Sequence, residues 1–390
     1  DVNNDGNLDL VIATGGNEYY GKDHHLLPLL YLNDGKGNLA RKADAFSEIY
    51  STQSVVVPYD FNGDGFTDLF IGGRADPWNY GAIPRSYLLQ NDGTGKFTDV
   101  TQKCCSELMN PGMVTNALWL DIDKDGDKDL LLCYEWGGID AFINNKNSFT
   151  RKQITDKKGW WNFMLPCDLN NDGNIDFIVG NLGLNNKLKA SEKEPVSLYY
   201  NDFDNNGKKE QVLTYYVSGQ EIPFATKQEL EKQMPYLKKK FLYAEDFAKS
   251  SLYTLFGEDK IREADRLTAN YFDNAVLMNK GNLQFEIKPL PYQAQLSSYR
   301  DAVVVNANND SLPDILMMGN YYDDNVELGR IDGDFGTLLV NKGKGNFEYQ
   351  PLNGLVVKGQ VRHIAPIQIN NQKAFVLARN NDSLLVIKFR

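Results

Sequence analysis

Histidine and cysteine are scarce, with three and four in 390 residues. Cys104, Cys105, Cys133 and Cys167 are too few for a disulfide scaffold in a chain of this length. No CxxC pair occurs, which removes zinc sites of that kind. The adjacent Cys104 and Cys105 read more simply as two free thiols in a loop than as a strained bridge. His24 and His25 read more simply as a solvated pair than as a metal or catalytic dyad, and His363 stands alone. No apolar run of about 18 residues exists, so no transmembrane helix is expected. Asp1 to Asp9 is polar and lacks a signal-peptide pattern, so an export signal is expected upstream or already removed. GxSxG, HExxH and P-loop motifs are missing. A basic surplus is missing too. Lys plus Arg is 41 against 52 Asp plus Glu, a net charge of −11, which argues against nucleic-acid backbones and anionic membranes as partners. The run Lys238 to Lys240 reads as the solvated side of a helix. With 42% hydrophobic and 24% charged residues the composition is that of a globular protein. The length suggests two or three domains, although all-β folds often extend further as one unit.

What the chain has is a repeat. Five nine-residue segments share one pattern: DVNNDGNLD from Asp1, DFNGDGFTD from Asp60, DIDKDGDKD from Asp121, DLNNDGNID from Asp168 and DFDNNGKKE from Asp202. Ca²⁺ takes six to eight hard oxygen ligands, and side chains at positions one, three and five of a tight loop converge on one point. The expected side-chain ligands are Asp1, Asn3, Asp5 and Asp9; Asp60, Asn62, Asp64 and Asp68; Asp121, Asp123, Asp125 and Asp129; Asp168, Asn170, Asp172 and Asp176; and Asp202, Asp204, Asn206 and Glu210. Position seven lends its carbonyl, so its side chain is free to vary: Asn7, Phe66, Asp127, Asn174 and Lys208. Glycine at position six permits the positive φ of the turn. The acid at position nine is expected to close the shell as a bidentate ligand. An Asx-rich turn alone would not require that acid. An EF-hand would need Glu at position twelve between helices, where this chain has Ile12, Ile71, Leu132, Val179 and Leu213 in β-like flanks. A sixth copy, Asn306 to Asp314, has lost the first Asp and the Gly and reads as a plain turn. A seventh, Ile369 to Gln372, keeps only the turn.

Each loop sits between apolar β-type runs, followed by a third run and an Asn/Gly turn into a fourth: YLLQNDGTGKFTDV is one instance. The loop starts are 59, 61, 47, 34, 104 and 63 residues apart, near the roughly 40–50 residues of a four-stranded propeller blade. Seven starts predict an all-β, seven-bladed β-propeller. From Phe224 to Leu267 the pattern turns helical, with a capping box at Thr226 and Glu229 and a C-cap at Gly257. Removing these residues, about 45, returns the long gap to blade length, which places two or three helices in blade five. Only Leu182 to Pro195 separates the second strand of blade four from the next repeat, so that blade is expected to have lost its outer strands. Residue 1 already occupies position one, so the first strand of blade one is expected upstream, and the final run SLLVIKFR needs a partner.

These residues resemble the FG-GAP/VCBS repeat propellers, which include the integrin α-chain head. The stretches GNLGLNNKLKASEKEP, LYYNDFDNNG, PYLKKKF and ARNNDSL are similar to the C-terminal half of exported FG-GAP proteins of Gram-negative bacteria that carry an ASPIC/UnbV-type segment. The resemblance spans nearly all of residues 1–390 as a single propeller, with 224–267 as its helical insertion. It implies about five structural Ca²⁺ ions in the five loops and an extracellular, periplasmic or outer-membrane surface location.

Antiparallel connectivity puts every acidic loop on one face and the loops after second strands on the other. That other face would carry Glu18, Tyr19 and Tyr20; Arg74, Trp78, Tyr80 and Arg85; Glu135 and Trp136; Asn181 and Asn185; and Tyr321, Tyr322, Glu327 and Arg330. Aromatic and Arg side chains suit protein hot spots, and aromatic platforms with acids and amides suit sugars. Of Trp160 and Trp161, at most one can face the sheet centre, leaving the other for the binding face. The leading expectation is a binding or scaffold module for a glycan or protein ligand. The alternative is a carbohydrate-active enzyme, a polysaccharide lyase or glycoside hydrolase, using carboxylates such as Asp323, Asp324 or Glu135. A third reading makes the helical insertion a docking element. The loops hold 17 carboxylates. Five divalent ions would bring the net charge from −11 to −1, so the acidity reads as a metal requirement of one face.

Overall fold

The β-type runs on either side of each acidic loop pair with one another. In the computed structural model, which describes residues 1–322, 327–352 and 354–388, Thr52–Tyr59 and Asp68–Ala75 run antiparallel with Tyr59 opposite Asp68. The same hairpin recurs as Met113–Leu120 with Asp129–Asn144, Phe163–Cys167 with Asp176–Gly180, Tyr299–Val305 with Asp314–Gly319, and Val361–Ile369 with Gln372–Arg379. Each grows into an antiparallel sheet. The protein is all-β, with seven such sheets among the described residues.

The seven are not seven equal members of a series. Six follow in order: a first (Leu10–Ile12, Leu29–Asn33, Leu39–Arg41), a second ending at Phe97–Asp99, a third ending at Phe149–Trp160, a fourth, a fifth ending at Phe347–Gln350, and a sixth ending at Leu385–Ile387. The fourth sheet has not lost its outer strands. Ala275–Asn279 and Phe285–Pro289 supply them after a long excursion. A seventh sheet is nested in that excursion, with Val196–Asn201, Glu210–Val217, Gln220–Pro223 and Asp265–Ala269. The fifth acidic loop therefore belongs to the nested sheet, where the strand before it, Val196–Asn201, lies between two neighbours instead of at an edge. Loop spacing misled here because a 34-residue step resembles a truncated blade.

Five short helices, not two or three, lie between Pro223 and Asp265, from Lys227–Gln233 to Glu258–Glu263. The first has the capping box: Thr226 Oγ1 accepts from Glu229 N–H, and Glu229 accepts from Thr226 N–H. Gly257 ends the fourth at φ 91°, a left-handed conformation that glycine takes without strain. Their apolar sides, including Leu237, Leu255 and Phe256, pack on Tyr199, Phe203 and Val212 of the nested unit.

The core is a chain of clusters between successive sheets. One cluster joins the first and second sheets, another the second and third, and others follow to the fifth and sixth. Among the described residues no strand pairing and no core cluster joins the sixth sheet to the first. All four cysteines are free thiols.

An acceptor-lined loop face and a donor-lined central cavity

Hydrogen bonds make all five acidic loops alike. The position-one carboxylate accepts from the position-six N–H: Gly6 to Asp1, Gly65 to Asp60 and Gly173 to Asp168 at 2.8 Å, Gly207 to Asp202 at 2.9 Å and Gly126 to Asp121 at 3.1 Å. Position five accepts from the position-seven N–H, as from Asn7 to Asp5 and Asp127 to Asp125, both at 2.9 Å. Positions four and six hold positive φ, as at Asn4 (56°) and Gly6 (88°) or Lys124 (66°) and Gly126 (99°). The position-seven side chains differ in what they meet: Asn7 Nδ2 donates to Asp5 Oδ1 at 3.0 Å. The Phe66 ring instead fills the space where a Cβ on Gly93 would sit.

Position nine also has a structural part. Its carboxylate is an anchor to the sheet. In Asp129, Oδ2 accepts from Ile122 N–H (3.1 Å) and Oδ1 from Asn144 N–H (2.8 Å). Asp9 and Asp176 do the same with Val2 and Asn33, and with Leu169 and Asn279. Asp314 of the degenerate sixth loop does it too, with Ala307 and Asn341. A loop lacking the metal-type set keeps this acid, so the acid serves the turn first. Each oxygen retains a lone pair for a further partner.

Three asparagines that close a hairpin, Asn91, Asn144 and Asn341, tie neighbouring loops together, a role the sequence reading missed. Asn91 Nδ2 donates to Val2 O of the first loop as well as to Thr67 O of its own. Asn144 reaches Phe61 O and Lys128 O, and Asn341 reaches Leu169 O and Pro313 O. Lys124 Nζ donates to Asn174 Oδ1 at 2.8 Å, and Asn171 Nδ2 to Ser311 O at 3.1 Å. These bridges hold neighbouring loops side by side on one face. The recurring Asn before each third turn was the available signal.

The loops are chemically poised for a cation. Ligand oxygens of Asp121, Asp123 and Asp129 lie within 4.8 Å of one another, as do those of Asp202, Asp204 and Glu210. Asp68 Oδ2 and Asp121 Oδ1 are buried with no hydrogen-bond partner among the described residues. Burial pushes Asp68 up to about 7 and Asp129 to about 6. By contrast, the backbone N–H at position seven holds Asp5 and Asp172 below the usual carboxylate value. Orphaned hard oxygens in a cluster of carboxylates around a buried position-nine acid fit a Ca²⁺ donor set. Asp23, His24 and His25 also converge within 4.8 Å, with His25 Nδ1 2.7 Å from Asp23 Oδ1, but the histidines are exposed.

At the opposite ends of the strands lies a cavity of about 560 Å³. It brings together four of the expected ligand-binding residues, Arg74, Tyr80, Glu135 and Tyr321, and adds Thr115, Trp160, Trp161, Asn162, Arg300 and Arg362. Three of the added residues, Thr115, Arg300 and Arg362, come from a backbone device. The innermost strands of the second, third, fifth and sixth sheets each carry a register shift, at Ser54, Thr115, Arg300 and Arg362. Asn162 occupies the matching place ahead of Phe163–Cys167. A bulge re-aims one side chain, and four of these five residues line the cavity. Ser54, Thr115, Asn162 and Arg300 all stand six residues ahead of position one of a loop, a spacing legible in retrospect.

Arg74 Nη1 is paired with Glu135 Oε2; that carboxylate outweighs burial and holds the guanidinium above its ordinary value. Arg300 Nη1 donates to Asn162 Oδ1 at 2.6 Å, and Arg362 Nη2 to Gln360 Oε1 at 3.1 Å. Both guanidiniums lie over the Tyr321 ring, at 4.9 and 5.5 Å. Burial, then the Arg362 charge, lowers Arg300 to about 10. Arg300 Nε and Trp160 Nε1 are buried donors without partners among the described residues. Trp161 is fully buried in the core, its Nε1 donating to Lys157 O.

The remaining candidates among the described residues do not line this cavity. Trp136 is buried and donates to Tyr80 Oη at 2.8 Å. Asn181 is fully buried and clamps Trp160 and Tyr271 backbone groups. Asn185 donates to Leu296 O. Arg85 pairs with Asp99, and Arg330 stacks on Tyr322 at 3.5 Å. Tyr20 and Trp78 meet edge to face and are 69% and 66% exposed. Asp323 and Asp324 fall outside the described residues.

Residues 1–71, 60–132 and 121–179 match the FG-GAP-like repeat. Each match starts at position one of a loop and ends at position twelve of the next. The chain thus carries FG-GAP-like repeats in a β-propeller-like, all-antiparallel fold, as the sequence resemblance implied. None of the curated proteins matches it. The crystal structure of BBS1N in complex with ARL6DN gives a TM-score of 0.32 at 8% identity, over 92% of this chain and 87% of that one. The V. cholerae biofilm matrix protein Bap1 gives 0.30 at 9% identity, over 91% and 70%. Likenesses this weak bear on neither ligand nor partner. No helix among the described residues is long and apolar enough to cross a membrane.

Proposed function

We propose that the protein is a calcium-stabilised binding module of the extracellular or outer-membrane type, taking a ligand in the cavity opposite the acidic loops. One observation carries this reading: partnerless acceptors stand among the loop carboxylates and partnerless donors line the cavity. Acceptors are left over in the loops, at Asp68 and Asp121, and donors in the cavity, at Trp160 and Arg300. Buried polar groups without partners are costly, so each end is built for a complementary guest. In the loops, the carboxylates and amides at positions one, three, five and nine, with the carbonyl at position seven, would hold Ca²⁺, which neutralises the clustered charge. The cavity combines aromatic walls with convergent polar groups, the usual composition of a ligand pocket.

A catalytic reading is weaker. Glycoside hydrolysis commonly uses two carboxylates about 5–9.5 Å apart. Among the described lining residues Glu135 is the one carboxylate, and Arg74 holds it. The resemblance to exported bacterial FG-GAP proteins supports a glycan or protein ligand at the cell surface. Incubation of the calcium-loaded protein with a polysaccharide panel tests the proposal. Saturable binding without new reducing ends or unsaturated uronates is expected. Turnover would replace the module with an enzyme.

A further inference from the structure

We infer that the cavity ligand is an acidic saccharide, whose carboxylate or sulfate is held by Arg300 and Arg362. This rests on the cavity being the ligand site and names what it takes. Among the described residues three guanidiniums line the cavity against a single carboxylate, Glu135, a surplus of two positive charges. Glu135 is already paired with Arg74. Arg300 and Arg362 have only neutral amide oxygens as hydrogen-bond acceptors and no carboxylate within ion-pair reach among the described residues.

Two like charges side by side in a recess are unfavourable unless a counter-charge visits. The inner strands nevertheless spend a bulge each to turn these two residues inward. The unpartnered donors of Arg300 and Trp160 ask for acceptors, and an oxyanion offers several. The fork of a guanidinium matches carboxylate and sulfate geometry alike. Trp160, Tyr80 and Tyr321 supply ring faces and edges beside that charge, the surface on which a sugar ring packs. A volume near 560 Å³ admits one or two sugar units and not a folded partner.

The test is calorimetric titration of the calcium-loaded chain, with Trp emission recorded in parallel, using glucuronate, glucose 6-sulfate, glucose and succinate. Glucuronate or the sulfate ester should bind about tenfold or more tighter than glucose and should shift Trp emission. Whichever of the two binds tighter identifies the source of the charge. Arg300→Gln and Arg362→Gln should each weaken that ligand by about tenfold at unchanged melting temperature. Glu135→Gln, which frees Arg74, should strengthen it. Equal binding of glucose, with no effect of either Arg substitution, overturns the acidic class and leaves the cavity reading intact. Succinate binding as tightly as glucuronate overturns the sugar. If none of the four binds or moves the emission, and the polysaccharide panel also fails, the cavity reading falls with it. Should Arg300→Gln melt early, Arg300→Lys decides. It keeps the charge but not the fork, and full affinity in that variant overturns the proposed bidentate grip.

Discussion

Three asparagines that close a hairpin after a loop, Asn91, Asn144 and Asn341, serve two sheets at once through main chain and side chain. Asn144 gives its N–H to Asp129 and its Nδ2 to carbonyls of the second and third loops, Phe61 and Lys128. Asn144→Ala strands two buried acceptors and should cost about 1–3 kcal/mol, read as a lower urea midpoint at unchanged slope. A second residue-scale prediction concerns His363. Its ring nitrogen lies 2.5 Å from Asp301 Oδ2. That hydrogen bond, ahead of the opposing effect of burial, raises the imidazole above its ordinary 6.5. A raised value means the folded state binds the proton more tightly. The pair therefore contributes at pH below the ordinary value, and its contribution fades as pH rises through the raised one. An NMR titration of the His363 ring should find its midpoint above 6.5, and Asp301→Asn should return it towards that value. Asp9, Asp60 and their relatives were legible at this scale because their spacing is local. Asn91 and Arg300 were not, because what they do depends on the neighbouring sheet.

At the scale of elements, the helices are part of the nested unit and not a detachable appendage. Leu255 and Leu237 are fully buried, and they share a cluster with Phe203 of the fifth loop and Val212 of the strand after it. Leu255→Ala should cost about 2–5 kcal/mol. Hydrogen exchange should accelerate first in Val196–Asn201 and Glu210–Val217, while the fifth and sixth sheets keep their protection. Uniform acceleration throughout would show that the nested sheet does not unfold separately. The helical pattern between 224 and 267 was readable from capping and periodicity. That it completes a sheet, and that the fourth sheet resumes at Ala275, was not, because strand partners about 100 residues apart leave no periodic trace.

For the whole molecule, charge and stability are coupled through the loop face. The chain carries −11, and its loop carboxylates cluster tightly. Ligand binding to the native state alone stabilises by about 2.7 kcal/mol per site at a hundredfold excess over Kd. Exhaustive chelation should therefore lower the melting temperature markedly, and adding Ca²⁺ back should restore it. An unchanged melt on protein shown to be metal-free would count against structural calcium. Native mass spectrometry should show one ion fewer in Asp125→Ala, whose loop is the most acidic of the five.

The sequence by itself determined the local chemistry: the acidic loops, the hairpins around them, the all-β class and the helical stretch. Each is written within about a dozen residues, where turn geometry and β periodicity dictate the pattern. Tertiary structure decided what those units become. It set one sheet within the chain excursion of another, tied the position-nine acid to the sheet, and turned the bulged Thr115, Arg300 and Arg362 of three inner strands toward one cavity. Those outcomes depend on sheets meeting side by side. The contacts that fix them join residues far apart in the chain, and no spacing along it records them.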